Sequence, residues 1–455
     1  LATAAILIYA PDSAKLALLL PVGVVLLLVM AVRPELVLII SIAYTPFESE
    51  AFKPLALPGG LSISKLLGAA LLGIFFFNII VRRRKFRMFD DPQDFTILLL
   101  AATFLLSGVT SEFPGKTWTS ASRMLRMLVF YFAVKNLLSS YVVIRASMWA
   151  IAISGGLAGV WGINDYLVQN AVMIHDVRTG GVFMDPNDYA ALAVVVIIVT
   201  LHLIEITRNT LLQQLLTLCM ISSIISLIVG ASRMGFLALG VVVMLYLWRH
   251  PRRKILITLA VIGLVISFPM WPESVRVRLT GSGDDGLGDN TYSATTEHST
   301  ERRASYVVFG TSLIAQFPIT GTGYGTFSRL YPQSEFARYD NPMTDADRYR
   351  LAHNAYLEIT VGTGFLGLTA FLMVLLVALY YLHQCSSLAK RGTVFWAAAS
   401  AFELSLISLM ICSAFLSIEH FNYTWIAVAM SSVLALHLRE ERALMAANNT
   451  HHREA

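Results

Sequence analysis

Charge is what this sequence has least of. Only 14% of its 455 residues are Asp, Glu, Lys or Arg, where a soluble domain carries about 25%. With 56% hydrophobic residues and a mean hydropathy of +0.66, the chain has too little polar surface for water. Its composition is that of a polytopic membrane protein. Cysteine is scarce as well. Cys219, Cys385 and Cys412 all lie in apolar runs without a CxxC neighbour, which argues against structural disulfides and against a cysteine metal site. No DxD-type acidic pair stands beside an apolar run. The nearest, Asp345-Ala-Asp347, has Arg348 and Arg350 at hand to neutralise it, so neither a required metal nor a cofactor is expected. Gly321-Thr-Gly323-Tyr324-Gly325 lacks the preceding strand and the Lys-Ser/Thr of a phosphate-binding P-loop. No fixed-period repeat is visible, and no removable leader is expected from the opening residues.

Apolar runs fill most of what remains. A crossing helix needs about 20 mainly apolar residues, and suitable runs occupy 14–32, 62–81, 95–109, 120–138, 142–166, 189–206, 211–229, 234–248, 254–270, 355–383, 393–417 and 421–438, with a short one at 35–45. The last two allow a single broken helix. The expected fold is all-α, with about twelve transmembrane helices and one long loop containing short helices. Three parts follow: an N-terminal transmembrane bundle over 1–270, a loop domain over 271–352 and C-terminal transmembrane helices over 353–455.

The net charge is +5, but the cations sit in short loops, which signals topology rather than nucleic-acid binding. Arg82-Arg83-Arg84-Lys85, Arg249 with Arg252-Arg253-Lys254, Lys390-Arg391, and Arg439 with Arg442 are separated by even numbers of crossings. All then face the cytoplasm, and the 271–352 loop lies on the outer side. A loop this long is more often functional or independently folded than idle. Within it, the glycine- and acid-rich stretch 281–290 does not match a calcium loop and reads as a mobile linker. Ser299 or Thr300 can cap a helix reaching about Gln316, and Pro318 with the following glycines forces a turn.

His353 stands where this loop meets the next apolar run. A helix N-terminus disfavours a protonated imidazole, so a neutral His353 could accept a proton. It could equally do no more than cap its helix. Arg233, between two apolar runs, and Arg178, Arg302 and Arg303 reach the same side, and several guanidiniums together suit a diphosphate. Each alone could snorkel to headgroups. Tyr324 can stack on a sugar or anchor at the interface. Glu205, His202, Glu403 and Glu419-His420 are ionisable but form no ladder through the bilayer, which argues against a proton-coupled transporter.

The order of these motifs resembles the O-antigen ligase and polymerase superfamily. The residues concerned are Ser232-Arg233, Arg303 through Pro318 to Gly321 and Gly323, and His353-Asn354-Ala355-Tyr356-Leu357 with Gly364 and Gly367 downstream. Gly181-Val-Phe-Met-Asp185-Pro186-Asn187 resembles the family's earlier outer loop. The likeness spans roughly 178–368. It implies a metal-independent glycosyltransferase of the bacterial inner membrane with a periplasmic active site. Its donor would be an undecaprenyl diphosphate-linked glycan and its acceptor lipid A–core. His353 would activate the acceptor hydroxyl. Arg233 and Arg303 would hold the diphosphate, with Arg302, Arg178, Tyr324 and Asn354 in the substrate-binding set. A polymerase or a protein O-oligosaccharyltransferase of the same superfamily is the alternative, and a lipid-linked glycan flippase is the reading from another class.

Overall fold

The structure, a computed structural model, describes residues 32–48, 63–80, 87–138, 140–172, 178–183, 185–250, 252–271, 276, 291–339 and 351–454. The apolar run at 14–32, the Arg82–Lys85 cluster, the glycine-rich 281–290 stretch and Asp345–Asp347 fall outside these residues, apart from Val32 at the edge of the first. Among the described residues the structure is helical, with no strand.

In chain order the helices are α1 (Glu35–Tyr44), α2 (Ile63–Ile80), α3 (Pro92–Thr110), α4 (Pro114–Leu137), α5 (Tyr141–Val172), α6 (Pro186–Ile206), α7 (Thr210–Gly230), α8 (Arg233–Trp248) and α9 (Arg253–Ser267). The loop region supplies α10 (Thr291–Gln316), α11 (Phe327–Leu330) and α12 (Glu335–Tyr339). Then come α13 (Ala355–Leu388), α14 (Val394–Ser413) and α15 (Asn422–Glu454). Among the described residues 6 helices are long and apolar enough to cross a membrane: α3, most of α5, α6, α7, α13 and α14. Shorter apolar helices occupy Glu35–Phe47, Lys65–Phe77 and α8. In α4 the charges of Lys116, Arg123, Arg126 and Lys135 dilute the hydropathy, and α15 turns polar from Arg439 onward.

Several helices begin before their apolar runs, because capping chemistry sets the start. Asp91 and Asp185 each accept the amide N–H two residues on, with Pro92 and Pro186 as first helical residues. The side chain satisfies a free donor, and proline gives up an N–H that had no partner there. The loop helix differs from the sequence expectation in the other sense. It opens at Thr291, not at Ser299 or Thr300. No glycine or proline interrupts 291–300, so nothing stops the helix short of the glycine-rich stretch. α14 and α15 are separate helices, joined through a turn in which the Phe421 amide donates to the Ile418 carbonyl.

α6 and α14 form the centre. Both are apolar round most of their circumference, as helices enclosed by others are, with His202 and Glu403 the buried ionisable exceptions. α14 packs on α5, α6, α8, α13 and α15. α5 and α7 approach closely through small residues, the usual device where lipid removes the hydrophobic drive between helices. A Cβ on Gly156 would stand 2.6 Å from the Cys219 sulfur, and one on Gly159 2.9 Å from the Ser222 hydroxyl.

One buried ionic knot ties α3, α4 and α15. Lys135 Nζ donates to Asp94 at 2.6 Å and to Asp90 at 2.7 Å. Tyr131 donates to Asp94 Oδ1, and its oxygen also pairs with Ser432. Removing one partner strands a buried charge. Lys135→Met should therefore cost about 3–5 kcal/mol, while Lys135→Met with Asp94→Leu should recover most of it. Thermal unfolding of the detergent-solubilised variants measures both.

Candidate functional site

The end of the bundle that carries α10 to α12 is organised by a backbone clamp. The N–H of Thr322 donates to the Val361 carbonyl (2.9 Å), that of Gly323 to Gly362 (3.0 Å), and that of Phe365 back to Pro318 (2.8 Å). Two backbones this close leave no room for side chains. A Cβ on Gly321 would lie 2.5 Å from the carbonyl carbon of Gly362. Gly364 has φ 66° and ψ −170° inside α13, a conformation open in practice only to glycine, and a Cβ there would stand 2.2 Å from the Ile319 oxygen. The two glycine groups of the sequence are thus halves of one joint. Gly364→Ala should cost on the order of 1–3 kcal/mol from the backbone alone. Gly240→Ala, inside α8 where a Cβ meets nothing within 4 Å, should leave the unfolding temperature no lower, and slightly raised, in the same assay.

This joint fixes the start of α13, and so His353. Asn354 is the N-cap, its Oδ1 accepting the Leu357 amide at 3.0 Å. Glu358, buried one turn in, accepts the Ala352 amide through Oε2 at 3.1 Å. The Ala355 N–H is held by the Leu416 carbonyl. His353 lies between these anchors with φ +49°, a left-handed conformation that costs a non-glycine residue about 1–2 kcal/mol. Strain maintained by flanking hydrogen bonds concentrates at working sites. The half-buried imidazole lies over Tyr306, with ring centroids 6.5 Å apart and planes 17° from parallel.

Tyr306 belongs to α10, and Arg303 is one turn before it. The 303, 306 and 310 face of α10 packs on α13, where a Cβ on Gly310 would meet Leu357 at 2.8 Å. Tyr306, Phe327, Tyr331 and Leu357 form a small separate core that holds the loop helices onto α13. Burial lowers the pKa of the Arg303 guanidinium, Asp185 opposes that shift and Arg233 adds to it. The cation is therefore partly dehydrated and within electrostatic range of both residues. Arg302 projects about 100° round the helix from Arg303.

Arg233 opens α8. The preceding corner is rigid: Ala231 ends α7 at φ +47°, and the Ser232 hydroxyl caps α8 and donates to Asn187 Oδ1 at 2.9 Å. Arg178 braces the same corner, donating from Nε to the Gly230 carbonyl (3.0 Å) and from a terminal nitrogen to Asn187 (3.4 Å). Its contacts fit positioning of Arg233, alongside any part in binding. The exposed Arg233 side chain stands at a helix N-terminus, where the free N–H groups and the dipole add to its pull on anions.

Tyr324 is not at the surface. It is buried, edge-on to Phe104 at 4.7 Å, and its hydroxyl donates to Glu419 Oε1 at 2.7 Å. It lines a cavity of about 20 Å³ with Lys116, Arg123, Glu358 and the Glu419–His420 pair, the room a bridging water needs. Burial would raise the Glu419 pKa, but the His420 partner and the Tyr324 hydroxyl hold it below the usual carboxylate range. Burial would lower that of His420, and Glu419 raises it above the usual imidazole value. Glu419 Oε1 and His420 Nδ1 lie 3.8 Å apart. Tyr306, Glu358, Lys116 and Arg123 are the members of this region that sequence reasoning did not single out. Lys116 and Arg123 did carry a signal, standing seven residues apart on one helix face.

His353, Arg303 and Arg233 thus come together from α13, α10 and α8 at one end of the bundle. Asn354 and Arg178 hold backbone in place, and Tyr324 lies in the interior. A family model described as O-antigen ligase matches residues 215–372, the stretch that contains Arg233, Arg303, the glycine joint and His353. The match supports membership of the O-antigen ligase superfamily. No curated protein matches the chain.

Proposed function

We propose that this multi-pass membrane protein of the O-antigen ligase superfamily is a ligase. It takes a glycan from an undecaprenyl diphosphate carrier and transfers it to lipid A–core on the periplasmic side of the inner membrane. The observation that carries the reading is the convergence at one end of the bundle. A strained, anchored His353 lies over Tyr306, and Arg303, one turn from Tyr306, stands within electrostatic range of Arg233.

The chemistry follows from these parts. A neutral imidazole of His353 accepts the proton of the acceptor hydroxyl. The acceptor oxygen bonds to the anomeric carbon as the bond from that carbon to the diphosphate oxygen breaks. Undecaprenyl diphosphate departs with the electron pair. Its growing negative charge is met by Arg303 and Arg233, which are already in place and need no reorganisation. The partly buried Arg303 gains most, because its water has already been given up. A diphosphate is an activated leaving group, so fixed cations suffice and no cofactor enters the scheme.

The test is reconstitution of the purified protein with an undecaprenyl diphosphate glycan and lipid A–core, with and without a chelator. Glycan on lipid A–core, unaffected by chelation, is expected. Longer carrier-linked chains would make the protein a polymerase, and glycan on added protein acceptors a protein O-oligosaccharyltransferase. Flipping of the carrier without transfer would make it a transporter, and loss of activity on chelation would remove the metal-independent scheme.

A further inference from the structure

A second cavity opens at the other end of the bundle. It holds about 390 Å³ and is lined by Tyr246, Arg249, His383, Ser387, Arg391 and Trp396, among others. Arg249 closes α8, whose opposite end is Arg233. His383 and Ser387 lie near the end of α13, some 30 residues beyond His353 and on the far side of the Gly364 kink. This space belongs to neither the diphosphate region nor the Glu419–His420 cavity.

We propose that it binds the phosphoryl group of an anionic phospholipid in the leaflet opposite His353. Its floor is built in advance. Glu403, 2% exposed, takes two donors from Arg249 at 2.8 and 2.9 Å, the His383 ring nitrogen at 2.8 Å and the Ser386 hydroxyl at 2.6 Å. Glu205 is occupied in the same way by Arg391 at 3.0 Å and by the Tyr246 hydroxyl. Both carboxylates are spent on donors, and each pair fixes the plane of a guanidinium. Arg249 Nε and the second terminal nitrogen of Arg391 make no hydrogen bond to another described residue. Both arginines line the cavity. A planar guanidinium already held on one edge is a low-entropy receptor for phosphate oxygens on its other edge.

The surroundings favour a lipid as the source of that phosphate. Trp396 and Tyr246 flank Arg391, whose guanidinium carbon lies 5.1 and 6.0 Å from their ring centres, as aromatic side chains do at headgroup depth. Arg252 and Lys390 stand in the adjoining loops and Arg253 and Lys254 open α9, and such clusters attract anionic leaflets. From the cavity an exposed stripe runs along α13 through Tyr380, Leu376 and Met373, at 60%, 54% and 41% exposure. These residues repeat at three- and four-residue spacing below Ser387 and His383, so they share one face. The stripe extends about 21 Å from Ser387 to Met373, the reach of an acyl chain whose headgroup sits in the cavity.

Native mass spectrometry of the full chain in detergent tests this with phosphatidylglycerol and phosphatidylcholine of the same acyl chains. Wild type should retain phosphatidylglycerol about tenfold better. Arg391→Gln and Ser387→Phe should both abolish the preference. The first removes one cationic edge and the second fills the mouth from an exposed position. Arg249→Gln with Glu403→Gln, which removes both charges of the buried pair together, should do the same, so a misfolded single variant cannot decide the outcome. Equal retention of the two lipids by wild type would overturn the proposal. So would a preference that survives all three variants. Displacement of phosphatidylglycerol by millimolar inorganic phosphate as readily as by the lipid itself would overturn the lipid assignment and leave a free-phosphate site.

Discussion

His353→Ala should abolish glycan transfer, by about 10²–10⁴-fold, the range for loss of a general base, while leaving the protein folded and donor binding nearly intact. Alanine is a poor control by itself, since position 353 has φ +49° and a side-chain effect could be confused with a backbone one. His353→Asn resolves this. Asparagine tolerates the left-handed region but has no group that titrates. The asparagine variant should match wild type in thermal unfolding and in retention of the undecaprenyl diphosphate glycan, and match alanine in transfer rate. Transfer by the asparagine variant within threefold of wild type would mean that the acceptor hydroxyl gives up its proton elsewhere. The nearest candidates would then be Glu358, behind the Ala352 amide, and the Glu419–His420 pair.

The second large effect concerns the guanidiniums. Arg303→Ala and Arg233→Ala should each slow single-turnover transfer by about 10²–10³-fold, as for loss of one fixed donor to a developing anion. The double variant should fall well short of the product of the two, because groups on one leaving diphosphate act as a unit. Arg303→Lys should recover only part of the loss, since an ammonium keeps the charge without the planar fork. Arg178→Ala should behave differently. That side chain braces the Gly230 carbonyl and Asn187, so its loss should loosen the Ser232 corner and affect stability together with rate. Independent, multiplicative losses at Arg233 and Arg303 would mean that they do not share a diphosphate.

Much of this is legible in the sequence. Helix positions followed from apolar runs, and the residues that converge were visible as Ser232-Arg233, Arg303 and His353-Asn354. The part that was hidden has a common cause. In a chain this apolar, hydrophobicity does not separate a residue facing lipid from one facing another helix, so burial is unreadable. Tyr324 has the profile of an interfacial anchor, yet it is interior and bound to Glu419. Nothing in the sequence marks Glu358 as buried, or Tyr306 as the partner of His353. An Asn preceding an apolar run is a standard cap, and Asn354 caps α13, a structural role that stands beside any part in substrate binding. The clamp between the 318–323 turn and α13 lay out of reach too, because backbone pairing over such a sequence distance leaves no periodicity.

That clamp turns the interval from Asn354 to Gly364 into a ruler. One end is set by a cap and the other by a seam of carbonyls and amides, with rigid helix between. One residue added or deleted inside it would swing the two ends about 100° out of phase, so that His353 and the seam could not both keep their places. Length in this interval is therefore frozen however freely its side chains drift.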